Sequence, residues 1–244
     1  FFTYRVKNRE LTLLKSDSYS SQGPYTNSYH KVDMNFEQLS WKMDEDVMRF
    51  TAPRGAAIGN AYFESVNYFN YDKYMNMMLL DQQHPLYLLK RFSELYGSDE
   101  FYIETYADFL KMPLQEVQQQ AMRMAFGGFI YYDVNTETIK LKPRLYDYLA
   151  ASINKIDYDV MGFVSRVNAP MENAIYNIHN NDLIINGIPE IHVSDSQNVT
   201  IIPRNNSITL KNNRNFQFDG IVQAGLLTFY GNNFFFNYDS FKIN

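Results

Sequence analysis

By residue type, four histidines and two short acidic clusters are the groups in this chain best suited to chemistry. His30, His84, His179 and His192 form no His-x-x-x-His or comparable pair. A metal site would therefore have to be assembled from distant segments. His179 and His192 share one strand-rich region and could approach each other, but surface or turn histidines are the simpler reading. Carboxylates cluster at Asp44-Glu45-Asp46 and at Asp157-Tyr158-Asp159. Glycoside hydrolysis needs a carboxylate pair, and strand alternation would place Asp157 and Asp159 on one face. Aromatic platforms at Tyr230 and Phe234 could stack on a sugar, which completes a carbohydrate-binding or carbohydrate-cleaving reading. Asp44 to Asp46 reads more simply as a turn. Gly55 and Gly59 are followed by no Lys-Ser/Thr, so this is not a phosphate loop. No catalytic residue, metal ligand or cofactor is assigned, and the residues lean away from an enzyme without deciding the question.

A further set, Gln115, Gln118, Gln119 and Arg123, owes its interest to the element that must carry it. From Pro85 to Tyr96, apolar residues recur at helical spacing and put Leu88, Leu89, Phe92 and Leu95 on one face. Pro85 suits a first turn and Gly97 an exit. A second helix is predicted over 103–110, with Tyr106, Ala107 and Leu110 inward. Lys111-Met112-Pro113 is the turn, because the residue before proline is biased out of the helical region. The third helix runs over 114–126, with Leu114, Val117, Ala121, Met124 and Ala125 inward and Gly127-Gly128 as its stop. Phe129 to Tyr132 and Thr138 to Leu141 alternate, and Asp133 to Glu137 joins them as a hairpin.

This order resembles a winged helix-turn-helix domain over Pro85 to Leu149. The resemblance implies that the third helix could enter a major groove, with Gln115, Gln118 and Gln119 reading adenine beside Arg123. Charge weighs against it. Residues 85–149 hold seven Lys/Arg against nine Asp/Glu, and phosphate contacts supply most non-specific affinity. The hairpin is acidic where a DNA-binding wing is usually basic. A winged helix that packs against protein is the better expectation, with nucleic acid as the alternative.

On both sides the sequence turns to strands. With 20 Tyr and 19 Phe, the chain favours half-buried sheet surfaces. Its many asparagines suit left-handed turn positions. Strands are predicted at Phe2 to Val6, Glu10 to Leu14, Phe36 to Met43, Val47 to Thr51 and Ala61 to Asn67. Ser16 to Ser28 reads as a polar, mobile loop, and Tyr71 to Leu80 as a helix. Beyond residue 156, short runs follow at Leu183, Ile191, Val199, Ser207, Phe216 and Leu227. The apolar-Gly-apolar-Gly echo over Phe216 to Gly225 and Leu227 to Phe236 looks like a β-solenoid rung, with a β-sandwich as the alternative.

The expected organisation is α+β: a β-rich flank over 1–70, a helical winged-helix domain over 71–155, and a β-rich, solenoid-like region over 156–244. The flanks share composition and turn chemistry, so they are expected to pack together around an inserted helical domain. Trp41, Phe63, Phe218 and Phe229 are expected to be buried. Segments Ser194 to Pro203 and Phe218 to Gly225, with the Tyr/Asn-rich flanks, resemble pieces of very large uncharacterised bacterial proteins of Bacteroidota.

Net charge is −5, which argues against a general polyanion binder. The absence of cysteine excludes disulfides and Cys-ligated metals. No apolar run approaches a membrane span. The start at Phe1 and the stop in strand-like sequence suggest an excised piece of a longer polypeptide. The partner expected is another protein or the rest of that chain, in an exported or cell-envelope setting rather than the cytoplasm. The function expected is a structural or interaction module.

Overall fold

The computed structural model describes residues 2–15, 23–53, 55–78, 83–159, 161–194 and 198–244. Parts of several expected features lie outside them: residues 16–22 of the polar loop, Leu79 and Leu80 of the helix begun at Tyr71, and the 195–197 turn. The protein is α+β, with short helices and antiparallel strands. The N-terminal strands are β1 (Phe2–Arg5), β2 (Glu10–Leu14), β3 (Tyr25–Asn27), β4 (Val32–Asn35), β5 (Gln38–Lys42), β6 (Val47–Thr51) and β7 (Ile58–Ser65). Next come α1 (Tyr71–Met78), α2 (Pro85–Tyr96), β8 (Glu100–Tyr102), α3 (Ile103–Leu110), α4 (Leu114–Phe126), β9 (Ile130–Asp133), β10 (Thr138–Leu141) and α5 (Pro143–Ser152). The remaining strands are β11 (Gly162–Asn168), β12 (Ala174–Asn177), β13 (Leu183–Asn186), β14 (Ile191–Ser194), β15 (Val199–Pro203), β16 (Ser207–Leu210), β17 (Phe216–Ala224), β18 (Leu227–Asn237) and β19 (Lys242–Ile243).

The described chain divides into two compact units, one of residues 2–15, 25–68 and 161–244, the other of 23–24 and 69–159. In the first, a large sheet runs β1-β2-β5-β6-β12-β13-β16-β17-β15-β14, with β18 on β17 and β19 on β18. A smaller sheet runs β11-β7-β4-β3. The two flanks of the sequence meet in both sheets. Phe50 stands opposite Ala174 where β6 pairs β12, and Ile58 to Glu64 pair with Asn168 to Gly162 where β7 pairs β11. The helical unit therefore occupies the connection between two adjacent antiparallel strands.

Period-two burial explains why these strands hold. β11 turns Phe163, Ser165 and Val167 inward, and β17 turns in Phe216, Phe218 and Val222. Both sheets feed one buried cluster that includes Phe63, Phe163, Leu183, Ile185, Leu210 and Phe216. Asparagine makes the corners: seven of the thirteen described non-glycine residues at positive φ are Asn, among them Asn181, Asn205, Asn213 and Asn233. A short side chain that bonds locally lowers the cost of that conformation.

The solenoid expectation is corrected here. Every strand pairing among the described residues is antiparallel, whereas solenoid rungs stack in parallel. The glycine echo that suggested a rung is a hairpin instead: Gly225 turns at φ +59, and Gly220 stands opposite Gly231 across β17 and β18. Gly220 sits at φ +149, and an added Cβ would run into the Ile202 carbonyl.

In the helical unit, local signals set each boundary. The His84 side chain caps α2, Pro85 opens it, and Gly97 closes it in the left-handed region. Lys111, at φ +55, ends α3 with its N–H on the Ala107 and Asp108 carbonyls. The Asp133 carboxylate accepts the Asn135 and Thr136 N–H groups and folds the turn between β9 and β10. The buried cluster takes Leu86, Leu89 and Phe92 from α2, Val117, Ala121, Met124 and Ala125 from α4, and Tyr132 and Ile139 from the hairpin. Leu95, expected inside, is 68% exposed; the inward face of α2 runs through Leu86 and Ser93 instead. Of the next two elements, β8 was not predicted, and α5 was expected only as the end of a helix or a linker over 150–155. β8 adds a third strand to the hairpin, in the order β8-β10-β9, and α5 supplies Leu145 and Tyr148 to the core.

Candidate functional site

The surface with the most defined chemistry is α4 with the hairpin beside it. Gln115, Gln119 and Arg123 are exposed on α4, and helical spacing puts them on one side. Gln118 is half-buried, and its amide nitrogen lies 3.5 Å from the Glu137 carboxylate. The Tyr132 hydroxyl has its pKa raised by burial first and by the charge of Glu137 second, with Gln118 offsetting part. Gln118 thus ties the helix to the hairpin rather than pointing freely outward.

The charges around this face are mixed. Glu104 and Asp108 on α3, Glu116 on α4, and Asp133 and Glu137 in the hairpin stand against Lys111 and Arg123. On the outer face of the three-stranded sheet, Lys140 pairs with Glu100 at 3.0 Å, so its charge is already answered. Exposed apolar side chains lie on the same unit: Tyr102 at 60%, Phe126 at 46%, Tyr131 at 42% and Val134 at 43%.

The carbohydrate set is not brought together. Asp157 is exposed and accepts the N–H of its neighbour Tyr158 at 2.9 Å. Asp159 is buried, with its carbonyl accepting the Phe69 N–H. The segment is not a strand that turns both carboxylates one way. Tyr230 and Phe234 lie on opposite faces of β18. Phe234 stands opposite buried Phe218, their ring centroids 5.2 Å apart, while Tyr230 stands opposite Ile221. A bulge at Asn232-Asn233 shifts the alternation between them.

The histidines also scatter. His179 is exposed in the turn after β12 and His192 lies on β14. Five strand spacings separate the two strands along the sheet order, roughly 24 Å. His192 instead meets Glu190 at 3.5 Å and Thr200 at 3.2 Å. Among the described residues no group of three or more His, Asp or Glu could hold a metal ion.

His30 and His84 are buried and structural. His30 Nε2 donates to the Asn181 carbonyl at 3.0 Å, and its ring packs edge-on against Tyr29 and Tyr176. Burial pushes its pKa down, partly offset by the Asn181 carbonyl and by Asp182. His84 lies flat on Tyr74, centroids 3.8 Å apart. Its pKa too is pushed down by burial, with the Tyr74 carbonyl as partial offset.

One pair escaped the sequence reading. Asp33 and Glu64 stand directly opposite each other on β4 and β7, each only 6% exposed. Asp33 accepts the Thr26 hydroxyl at 2.6 Å. Thirty residues of chain separate the two acids, so only the β4–β7 register reveals them, and local spacing carried no signal. Nearby, burial raises the Tyr62 hydroxyl pKa, helped by Glu64 and Tyr68.

Searches of protein-family models, curated proteins and solved structures find no match to this chain.

Proposed function

We propose that this chain is a non-catalytic structural and protein-interaction module. In this reading residues 85–149 are a winged helix whose third helix and wing pack against protein, and the two-sheet unit is a β-sandwich that carries it. The helix, strand, helix, helix, hairpin order supports the first assignment, as does the third strand that β8 adds to the hairpin. The enclosure of one core between two antiparallel sheets supports the second.

The observation that carries the functional reading is the face of α4 and the wing. Its two basic side chains, Lys111 and Arg123, are outnumbered by Glu104, Asp108, Glu116, Asp133 and Glu137, Gln118 is committed to Glu137, and the same unit leaves aromatic and aliphatic side chains exposed. Protein interfaces enrich aromatics and deplete charge at their centres. DNA-binding modules do the reverse.

The test is a fluorescence-anisotropy titration with random duplex DNA at physiological salt. No saturation is expected below roughly 10⁻⁴ M, the weak end of non-specific binding. Arg123→Ala should leave the residual signal unchanged. Saturable binding at nanomolar concentration, lost in Gln115→Ala or Gln119→Ala, would overturn the proposal and make α4 a reading helix.

A further inference from the structure

A second surface lies on the other unit, at the far end of the β17–β18 hairpin. β18 is paired along one edge by β17. Its other edge is covered only near Phe235 to Asn237, by β19 and Asn244. From Leu227 to Gly231, no strand among the described residues pairs that outer edge. An open edge presents a row of backbone donors and acceptors that templates further pairing.

Proteins usually blunt such edges with Lys, Pro or inward charges. This one carries none: no charged residue and no proline occurs from Gly220 to Tyr238. The only guard is the bulge at Asn232-Asn233, which twists the strand beyond Gly231 and leaves the stretch before it regular. The side chains there are apolar and uncovered: Leu226 is 104% exposed, Leu227 62%, Phe229 51% and Tyr230 76%.

We propose that this edge pairs antiparallel with the same edge of a second copy, making a two-fold dimer by sheet extension. Three observations select a second copy as the occupant. The strand is uncharged, so its own copy brings no repulsion, whereas a charged partner strand would find nothing to pair with. The free window, Leu227 to Gly231, is centred on Phe229. A two-fold axis there sets Phe229 opposite its copy, Thr228 opposite Tyr230, and large Leu227 opposite small Gly231. Finally, the exposed side chains inside the window, Leu227, Phe229 and Tyr230, offer roughly 400 Å² per copy. The roughly 800 Å² of the pair, with the backbone edge added, approaches the roughly 1,000 Å² that a specific interface needs.

Sedimentation velocity on the full chain tests this. The wild type should dimerise with Kd at or below roughly 10 µM. Phe229→Lys places two ammonium groups face to face and should weaken the dimer by roughly 100-fold. Measured well below the dimer's Kd, where both proteins are monomers, its melting temperature should stay close to the wild type's, because Phe229 is half-exposed in the single copy.

Cross-linking tests the register independently, since the chain has no native cysteine. Antiparallel partners have Cα atoms about 4.5–5.5 Å apart, within disulfide reach. Phe229→Cys should therefore form a covalent dimer on mild oxidation, and Leu227→Cys, facing Gly231 of the other copy, should form far less. The proposal is overturned by a wild type monomeric at roughly 200 µM, by a dimer indifferent to Phe229→Lys, or by equal cross-linking at both cysteines.

Discussion

His84 is the clearest place to test whether the helical unit is held as described. Its Nδ1 accepts the Leu86 N–H at 3.2 Å and so caps α2. Its Nε2–H donates to the Tyr74 carbonyl at 2.8 Å, and the ring stacks on Tyr74. One side chain thus pins α1 to the start of α2. His84→Ala removes a cap worth about 1 kcal/mol, a buried hydrogen bond worth about 1 kcal/mol and an aromatic pair worth about 0.5–1.5 kcal/mol. The expected loss is about 3 kcal/mol, and His84→Asn, which keeps a capping oxygen, should lose about 2 kcal/mol.

Protonation gives a second handle on the same residue. A proton on Nδ1 would face the Leu86 N–H, and burial already holds the pKa below its ordinary 6.5. The unfolded chain therefore takes up a proton near 6.5 while the folded chain does not. Stability from this group is full above 6.5 and falls as pH drops from 6.5 toward the folded value. The measurement is urea unfolding of wild type and variant at several pH values, with hydrogen exchange read at the α2 amides. The gap between wild type and His84→Ala should shrink as pH falls below 6.5. A variant with unchanged urea midpoint and unchanged Leu86 exchange at pH 8 would refute the reasoning.

Two further substitutions probe the cores. Ala121→Glu puts a carboxylate at a position that is 0% exposed between helices, and it should cost several kcal/mol, enough to unfold the helical unit by circular dichroism (about 3–5 kcal/mol). Gly220→Ala should cost about 2–4 kcal/mol in thermal unfolding, because the new Cβ meets the Ile202 carbonyl and φ +149 is strained for alanine; a neutral result would mean that β15 and β17 are not in this register.

Where periodicity and punctuation coincided, the chain could be read directly. α4 is an example: Pro113 before it, Val117, Ala121 and Met124 along it, and Gly127-Gly128 after it are all local facts. β8 was invisible because its three residues become a strand only by pairing with Thr138 to Lys140. Leu95 was placed inside because helical spacing gives a face but not which arc of it meets the core. Phe229 was placed inside because alternation does not show that this stretch of β18 is a sheet edge; it is exposed, while Phe63 and Phe218 are buried as expected and Trp41 is only partly covered. The carbohydrate set failed for a related reason. Tyr230 and Phe234 share a face in any regular strand, and the bulge between them reverses it. Asp33 and Glu64 were missed because cross-strand register depends on the whole sheet.

The connection between β7 and β11 bears on how this protein evolves and unfolds. Glu64 stands opposite Gly162, and the Ser65 N–H bonds the Met161 carbonyl at 3.1 Å. The Phe69 N–H bonds the Asp159 carbonyl at 2.9 Å. The chain thus leaves and rejoins the two-sheet unit at neighbouring points, where a short hairpin turn would otherwise sit. Closure entropy grows only slowly with loop length, about 0.6 kcal/mol per doubling. Going from a turn of about four residues to a loop of about 95 is between four and five doublings, about 3 kcal/mol, and the core shared by the two sheets must exceed this for the β7–β11 pairing to outlast the inserted unit. Ala121→Glu should then melt the helical unit while exchange protection at Phe163 and Val167 on β11 survives. Loss of protection in both places at once would show that the two cores unfold as one, and that the insertion is structural rather than modular.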